Sequence, residues 1–184
     1  MGLIVGRFFG FDPRTTGSGN IGMTNVGRAG GGRAAAMTFA GDMAKGLIPV
    51  VGARAIVGAV PPALALVGFA AFAGSIASIF LGFRGGRGVS TSLGVWLGLA
   101  PGAIAIAVLF FAILIATTRI VSVASIGAAI ALPAAVAAVG SPKHYILLAI
   151  LMSALVMVRH RDNIKRLMSG EEPRIGSGSR KQAE

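Results

Sequence analysis

The sequence contains no cysteine. That removes disulfides, cysteine-rich zinc sites and a thioester acyl-enzyme together. Other metal-binding side chains are scarce, with two histidines and six acidic residues among 184, so neither a metal nor a cofactor is expected. Charge is scarce as well. Charged residues make up 12% of the chain, about half the usual share for a soluble domain, and the mean hydropathy is +0.80. A secretory signal is a poor fit, because the first apolar stretch, residues 3–11, is short and carries Arg7.

The charge that remains is positive, at +11 net. Such a balance fits anionic lipid headgroups and phosphorylated substrates. Nucleic-acid binding is the competing explanation of basicity, and the apolar content argues against it. Uncharged stretches at residues 57–83 and 89–118 outrun any soluble core helix. Roughly 20 apolar residues cross a bilayer as a helix, so 89–118 divides better into two short spans than one. The expected fold is an all-α polytopic membrane bundle with helices at about 46–59, 61–83, 90–100, 102–118, 121–139 and 143–159. Breaks fall at Pro61-Pro62, Pro101-Gly102 and Gly140-Ser141-Pro142, and Arg119 separates the fourth span from the fifth. Residues 3–11 read as the last half of a further, truncated span. Residues 1–172 are expected to form one membrane domain, and 173–184, rich in Gly and Ser, a disordered tail.

Counting crossings places the segment 14–45, Arg84 with Arg87, Arg119, and the region from Arg159 onward on one side. All lysines and arginines except Arg7, Arg54 and Lys143 lie there, as do all six acidic residues. The positive-inside rule makes that side cytoplasmic. The chemistry is expected on the same side.

Three polar segments interrupt the apolar pattern there. The first runs from Asp12 to Arg28 and contains Gly17-Ser-Gly-Asn-Ile-Gly22. Its spacing matches a dinucleotide fingerprint, but that motif needs a preceding strand in a soluble unit, and here Pro13 and membrane spans surround it. Small residues nevertheless let backbone N–H groups approach an anion. A short helix over 20–29 would place Thr24, Asn25 and Arg28 on one face. An ordinary loop held by turns is the competing explanation.

The second segment, Phe83-Arg-Gly-Gly-Arg-Gly-Val-Ser-Thr91, joins two spans through a glycine loop. A helix starting near Ser90 or Thr91, beside two arginines, makes a phosphate site; a tight turn with membrane-snorkelling arginines is the alternative. The third follows the last span: His160-Arg-Asp-Asn-Ile-Lys-Arg-Leu-Met-Ser-Gly-Glu-Glu172. In a helix His160 and Asn163 share a face with Leu167, and Gly170 is a natural stop. A basic amphipathic helix lying on headgroups would also fit.

Together these segments resemble the acyl-phosphate-dependent glycerol-3-phosphate acyltransferases of bacterial phospholipid synthesis, the PlsY family. The resemblance rests on Gly17-Ser-Gly-Asn-Ile-Gly-Met-Thr-Asn-Val-Gly-Arg28, Gly41-Asp-Met-Ala-Lys-Gly46, Phe83-Arg-Gly-Gly-Arg-Gly-Val-Ser-Thr91, Arg119-Ile-Val-Ser122 and the His160–Glu172 segment. It implies seven membrane helices, a site opening to the cytoplasm of the bacterial inner membrane, and transfer of an acyl chain from acyl phosphate to the primary hydroxyl of glycerol 3-phosphate. It also implies a transient contact with the soluble enzyme that supplies acyl phosphate. By the same resemblance Ser18, Arg28, Arg87, Ser122, His160 and Asn163 line the glycerol-phosphate pocket, and Gly85 and Gly86 shape a phosphate loop. Three departures stand out: Arg87 replaces the family's usual lysine, Ser75 and Ser78 stand where Gly-His-x-x-Pro is usual, and most of the first helix is missing.

Acyl phosphate is an activated mixed anhydride, so no covalent acyl-enzyme is needed, and no Gly-x-Ser-x-Gly elbow is present. The reaction needs two mutually repelling phosphorylated substrates held together. Arg28, Lys45, Arg87 and the helix start after Gly88 would supply the clamp. His160 is the candidate base, with a substrate phosphate as the other proton acceptor. The candidate set is therefore His160 and Asn163 for catalysis, with Ser18, Asn20, Thr24, Asn25, Arg28, Lys45, Gly85, Gly86, Arg87, Gly88, Thr91 and Ser122 for substrate binding. A small transporter or channel is the rival reading, although the spans hold almost no midplane charge. A non-catalytic scaffold derived from the same family is another.

Overall fold

Helices dominate the computed structural model, which describes residues 1–83 and 85–176, apart from the side chain of Phe80. Arg84 and residues 177–184, the larger part of the expected tail, lie outside the described residues. Eight α-helices follow in order: α1 (Gly2–Phe8), α2 (Met23–Val57), α3 (Pro61–Ile76), α4 (Val89–Leu99), α5 (Pro101–Thr118), α6 (Val121–Ala138), α7 (Lys143–Arg159) and α8 (Arg161–Met168). The chain divides into two compact units, Met1–Pro101 and Gly102–Glu184.

Each of the six expected apolar segments is helical, and proline sets three of the starts. Pro61 and Pro101 open α3 and α5, and Pro142 caps α7. Proline is favoured at a helix start because its missing N–H would have no intrahelical partner there. Three helices, α2, α5 and α6, are both apolar enough and at least 18 residues long to cross a membrane. The pair α7 and α8 passes the same test jointly, bent by 57° at His160. At 16 and 11 residues, α3 and α4 are shorter. At 1.5 Å per residue, α4 rises only about 16 Å, well short of a hydrocarbon core of about 30 Å.

Two boundaries correct the sequence-based expectation. Helix α2, Met23–Val57, is two helical segments joined at a kink at Gly31, so the short helix expected over 20–29 is met by a first segment starting at Met23, while the second starts well before the expected 46. The triple glycine breaks the helix between these segments: Gly31 leaves helical geometry at φ 78°, and a Cβ at Gly27 would come within 2.9 Å of the Ala35 Cβ, a closeness no continuous helix allows. The span expected over 61–83 stops at Ile76. The Ser78 carbonyl accepts N–H groups from both Leu81 and Phe83, closing a 3-10 turn over Ile79–Leu81.

In the first unit, glycines let α2 and α4 pack backbone to backbone. A Cβ at Gly46 would overlap the Thr91 carbonyl, and one at Gly94 would overlap that of Met43. Farther along, a Cβ at Gly98 would come within 2.7 Å of Val50 Cγ1. Later positions of α2 meet later positions of α4, so the two helices run parallel. Buried Val50, Val95 and Trp96 belong to this region. The second unit is an antiparallel set. Gly102 approaches Val139 while Gly127 approaches Leu114, which pairs α5 with α6. Ser153 Oγ donates to the Ala129 carbonyl at 2.6 Å, tying α7 to α6.

Candidate functional site

Candidate residues of the first unit gather around two loops. The loop of residues 12–22 is built on Asn25, which sits in the first turn of α2 and is 3% exposed. Its Nδ2 donates to the carbonyls of Pro13, Thr16 and Asn20 at 2.8, 3.0 and 2.8 Å. Its Oδ1 accepts the Ser18 N–H at 2.9 Å. Asn20 has a local task too, since its Oδ1 accepts the Gly22 N–H at 2.8 Å where α2 begins. Asp12 and Arg14 pair at 2.6 Å at the loop's start. The hydrogen bonds and charge of that guanidinium hold the Asp12 carboxyl down at about 2.

The structure gives the expected shared face of α2 unequal surroundings. Asn25 is buried, Thr24 half-buried and Arg28 exposed. Ser18 is exposed at the crest of the loop, between two glycines with left-handed backbone, Gly17 at φ 54° and Gly19 at φ 68°. Lys45 lies farther along α2 and pairs with Asp42 at 3.1 Å.

The second loop, residues 85–88, lies on the end of α3. Gly85 is buried where any Cβ would strike the Ser75 and Ile76 carbonyls, the latter at 2.6 Å. The Gly86 N–H bonds the Ser75 carbonyl at 3.3 Å. Ser75 therefore holds the glycine loop through its backbone, while its own Oγ donates to Phe72 O at 2.7 Å. Helix α4 starts at Val89, with Gly88 as the left-handed N-cap and no side-chain cap. The expectation of a Ser90 or Thr91 cap is corrected here: both residues lie inside the first turn, and Thr91 is buried. The first N–H groups of α4 have no intrahelical acceptor by helix geometry, and the helix dipole favours an anion there.

Candidate residues of the second unit meet at the bend between α7 and α8. His160 belongs to neither helix. It caps the end of one and the start of the other, and it is 1% exposed. Its Nδ1 lies 2.8 Å from the Val156 carbonyl. A carbonyl only accepts, so Nδ1 carries a proton. The 57° bend separates α7 from α8. At the N-cap of α8 the His160 carbonyl accepts the Ile164 N–H at 2.9 Å, and both His160 and Asn163, three residues on, are buried.

Glu172 organises the rest. Gly170 takes φ 74° just past α8, and the Arg166 carbonyl collects the N–H groups of Glu171 and Glu172, a reversal of the kind that glycine permits after a helix. This turns the Glu172 side chain inward to 7% exposure, where it pairs with Arg166 Nε at 2.7 Å. The Asn163 amide donates to the same carboxylate. Burial raises the Glu172 pKa, but Ser122, Asn163 and Arg166 favour the ionised form and together hold it below the ordinary 4.5. The Ser122 hydroxyl is near enough to contribute, yet it lies outside hydrogen-bond geometry. Among the described residues Ser122 Oγ and Asn163 Oδ1 are buried with no partner. Buried polar atoms are normally satisfied, and Thr38 Oγ1 and Trp96 Nε1 share this state.

The sequence reading used Glu172 only as the end of a motif. Its role depends on the reversal at Gly170, which brings it back across nine residues to Asn163. The segment beyond is tied down as well, through Ile175 N to Arg119 O at 2.8 Å. Arg119 is left-handed at φ 58°. Residues 173–176 thus include a backbone anchor where a disordered tail was expected.

Comparison with known proteins points in one direction. The family model described as glycerol-3-phosphate acyltransferase matches residues 1–170. A glycerol-3-phosphate acyltransferase of Geobacter sulfurreducens is 47% identical over 95% of this chain and 89% of its own. One from Neisseria meningitidis serogroup C is 41% identical, covering 97% and 90%. Among solved structures, the crystal structure of PlsY, an integral membrane glycerol 3-phosphate acyltransferase, in its glycerol 3-phosphate form, superposes with a TM-score of 0.91. That protein is 37% identical, with 95% of this chain and 88% of the other covered. Its lysophosphatidic acid form gives 0.89 at 36% identity, covering 96% and 88%.

Proposed function

Because this chain belongs to the glycerol-3-phosphate acyltransferase family, we propose that it moves a fatty acyl group from acyl phosphate to the primary hydroxyl of glycerol 3-phosphate, giving lysophosphatidic acid and phosphate. The observation that carries this reading is the pair of buried, unpartnered atoms, Ser122 Oγ and Asn163 Oδ1, in the same unit as buried His160. Such atoms favour a hydroxylated, polar acceptor. The two PlsY crystal forms, one with glycerol 3-phosphate and one with lysophosphatidic acid, support the same acceptor and product. A chain without cysteine also suits a donor that needs no thioester intermediate.

In this reading the hydroxyl oxygen attacks the acyl carbon, and the bond from that carbon to the phosphate oxygen breaks. The hydroxyl proton leaves to His160 Nε2 or to a phosphate oxygen, and phosphate departs with the bond's electron pair. Asn163 Oδ1 accepts a hydrogen bond from the acceptor, and Ser122 adds a second contact. Arg28, Arg87 and the uncapped start of α4 offset the phosphate charges; removal of one such donor commonly costs about 10²–10³ in rate. Lys45, paired with Asp42, contributes less free charge to this clamp. Membrane crossing and the basic loops favour a site facing the cytoplasm of the bacterial inner membrane. Purified protein given labelled glycerol 3-phosphate with acyl phosphate, acyl-CoA or acyl-carrier protein decides the donor. Product from acyl phosphate alone is the expected result. Preference for either other donor overturns the proposal, and no product from any donor returns the chain to a transporter or scaffold.

A further inference from the structure

We propose that Asn25 is a positioning residue that fixes Ser18 for the glycerol 3-phosphate headgroup and is not itself a ligand of that substrate; this rests on the acyltransferase reading above.

The side chain has little left to offer a ligand. A primary amide has two N–H donors, and three loop carbonyls already share them. Its carbonyl oxygen accepts the Ser18 N–H, and the residue is 3% exposed. All four partners belong to the loop in front of it, none to α2. The Asn25 amide therefore occupies the centre of a ring of backbone running from Pro13 to Asn20.

The crest of that ring is shaped around the same amide. Gly17 lies directly against Asn25 Oδ1, where a Cβ would overlap the oxygen. Left-handed backbone at Gly17 and Gly19 brackets Ser18, which a side chain at either position would strain. The outcome is one exposed hydroxyl on a loop with no secondary structure of its own, and among the described residues that hydroxyl has no hydrogen-bond partner. Its orientation depends on an amide anchored in a helix. Loops that carry function commonly rely on such a rigid support.

Asn25→Asp tests this with almost no change in shape. A carboxylate cannot donate, so the three carbonyls lose their partner and face negative charge. If Asn25 acts through Ser18, Ser18→Ala and Asn25→Asp should each lower kcat/KM for glycerol 3-phosphate by about tenfold or more, and the double variant should be no worse than the weaker single. Amide hydrogen exchange at Ser18 should speed up in Asn25→Asp while the rest of α2 stays protected. Losses that multiply in the double variant would make Asn25 a direct ligand and overturn the inference. Unchanged kinetics or unchanged Ser18 exchange would overturn it too. Should Asn25→Asp fail to fold, Gly17→Ala strikes the same contact from the loop side and must show the same non-additivity with Ser18→Ala. A wild-type protein inactive with acyl phosphate would instead sink the acyltransferase reading, and the exchange measurement still reports on the amide staple.

Discussion

Asn163 donates its side-chain amide to the Glu172 carboxylate, leaving its own carbonyl oxygen buried and unpartnered among the described residues. An ionised carboxylate only accepts, so the contact decides which way the amide faces. Asn163 therefore presents an acceptor to whatever enters. Glu172→Ala frees the amide to flip, and turnover should fall by roughly tenfold or more, given the worth of hydrogen bonds to charged groups. Glu172→Gln keeps an acceptor oxygen and should retain more activity. Kinetics in which both variants match the parent would remove the orienting role.

Glu172 also predicts an acid limit to stability. Its folded pKa lies below the ordinary 4.5, so the ion favours the folded state above the unfolded value and loses that contribution as pH falls through the folded one. The thermal midpoint of the detergent-solubilised protein should drop more steeply below about pH 4.5 than that of Glu172→Gln. Parallel curves for the two proteins would count against it.

Arg87 places a forked cation in the glycine loop. If it neutralises phosphate, Arg87→Lys should keep much of the activity, whereas Arg87→Ala should lose about a hundredfold or more. Equal and mild losses would assign it to the membrane surface instead.

His160 Nδ1 lies 2.8 Å from the Val156 carbonyl, and Nε2 is the ring nitrogen proposed for proton transfer. Base catalysis predicts an ascending limb in the pH profile of turnover near a histidine value of about 6.5, and His160→Gln should lose that limb. A glutamine variant that kept the limb and merely weakened glycerol 3-phosphate binding would hand the proton to phosphate and leave His160 a positioning role.

Topology is open to test because the chain has no cysteine. Single cysteines at Ser141 or Pro61 should react with a membrane-impermeant thiol reagent from outside. One at Thr15 should react only after the membrane is opened. Early labelling at Thr15 would contradict the inward placement of the loops.

Helix positions were legible because apolar runs bounded by Pro61, Pro101 and Pro142 leave little choice of start. The extent of α2 was hidden: Gly31 does break it, but Arg33, Asp42 and Lys45, which read as loop, lie in its second helical segment. The end of α3 was hidden for the opposite reason, since the apolar run continues past Ile76 while the backbone turns on the Ser78 carbonyl. Ser18, Ser122, His160 and Asn163 were singled out by resemblance of motifs. The supporting tasks of Asn25 and Glu172 were not, because each joins residues that share no helical period.

The backbone bond from Ile175 to Arg119 bears on where the protein may safely be cut. The family match ends at residue 170, and an expression boundary drawn there would keep His160, Asn163 and the whole of α8. It would also delete the counter-ion of Arg166 and the group that turns the Asn163 amide. Such a shortened protein could insert and fold its helices with its reactive side chains in place and unaligned. A fusion or affinity tag belongs beyond residue 176, and inactivity of any shorter version says nothing against the chemistry of the full chain.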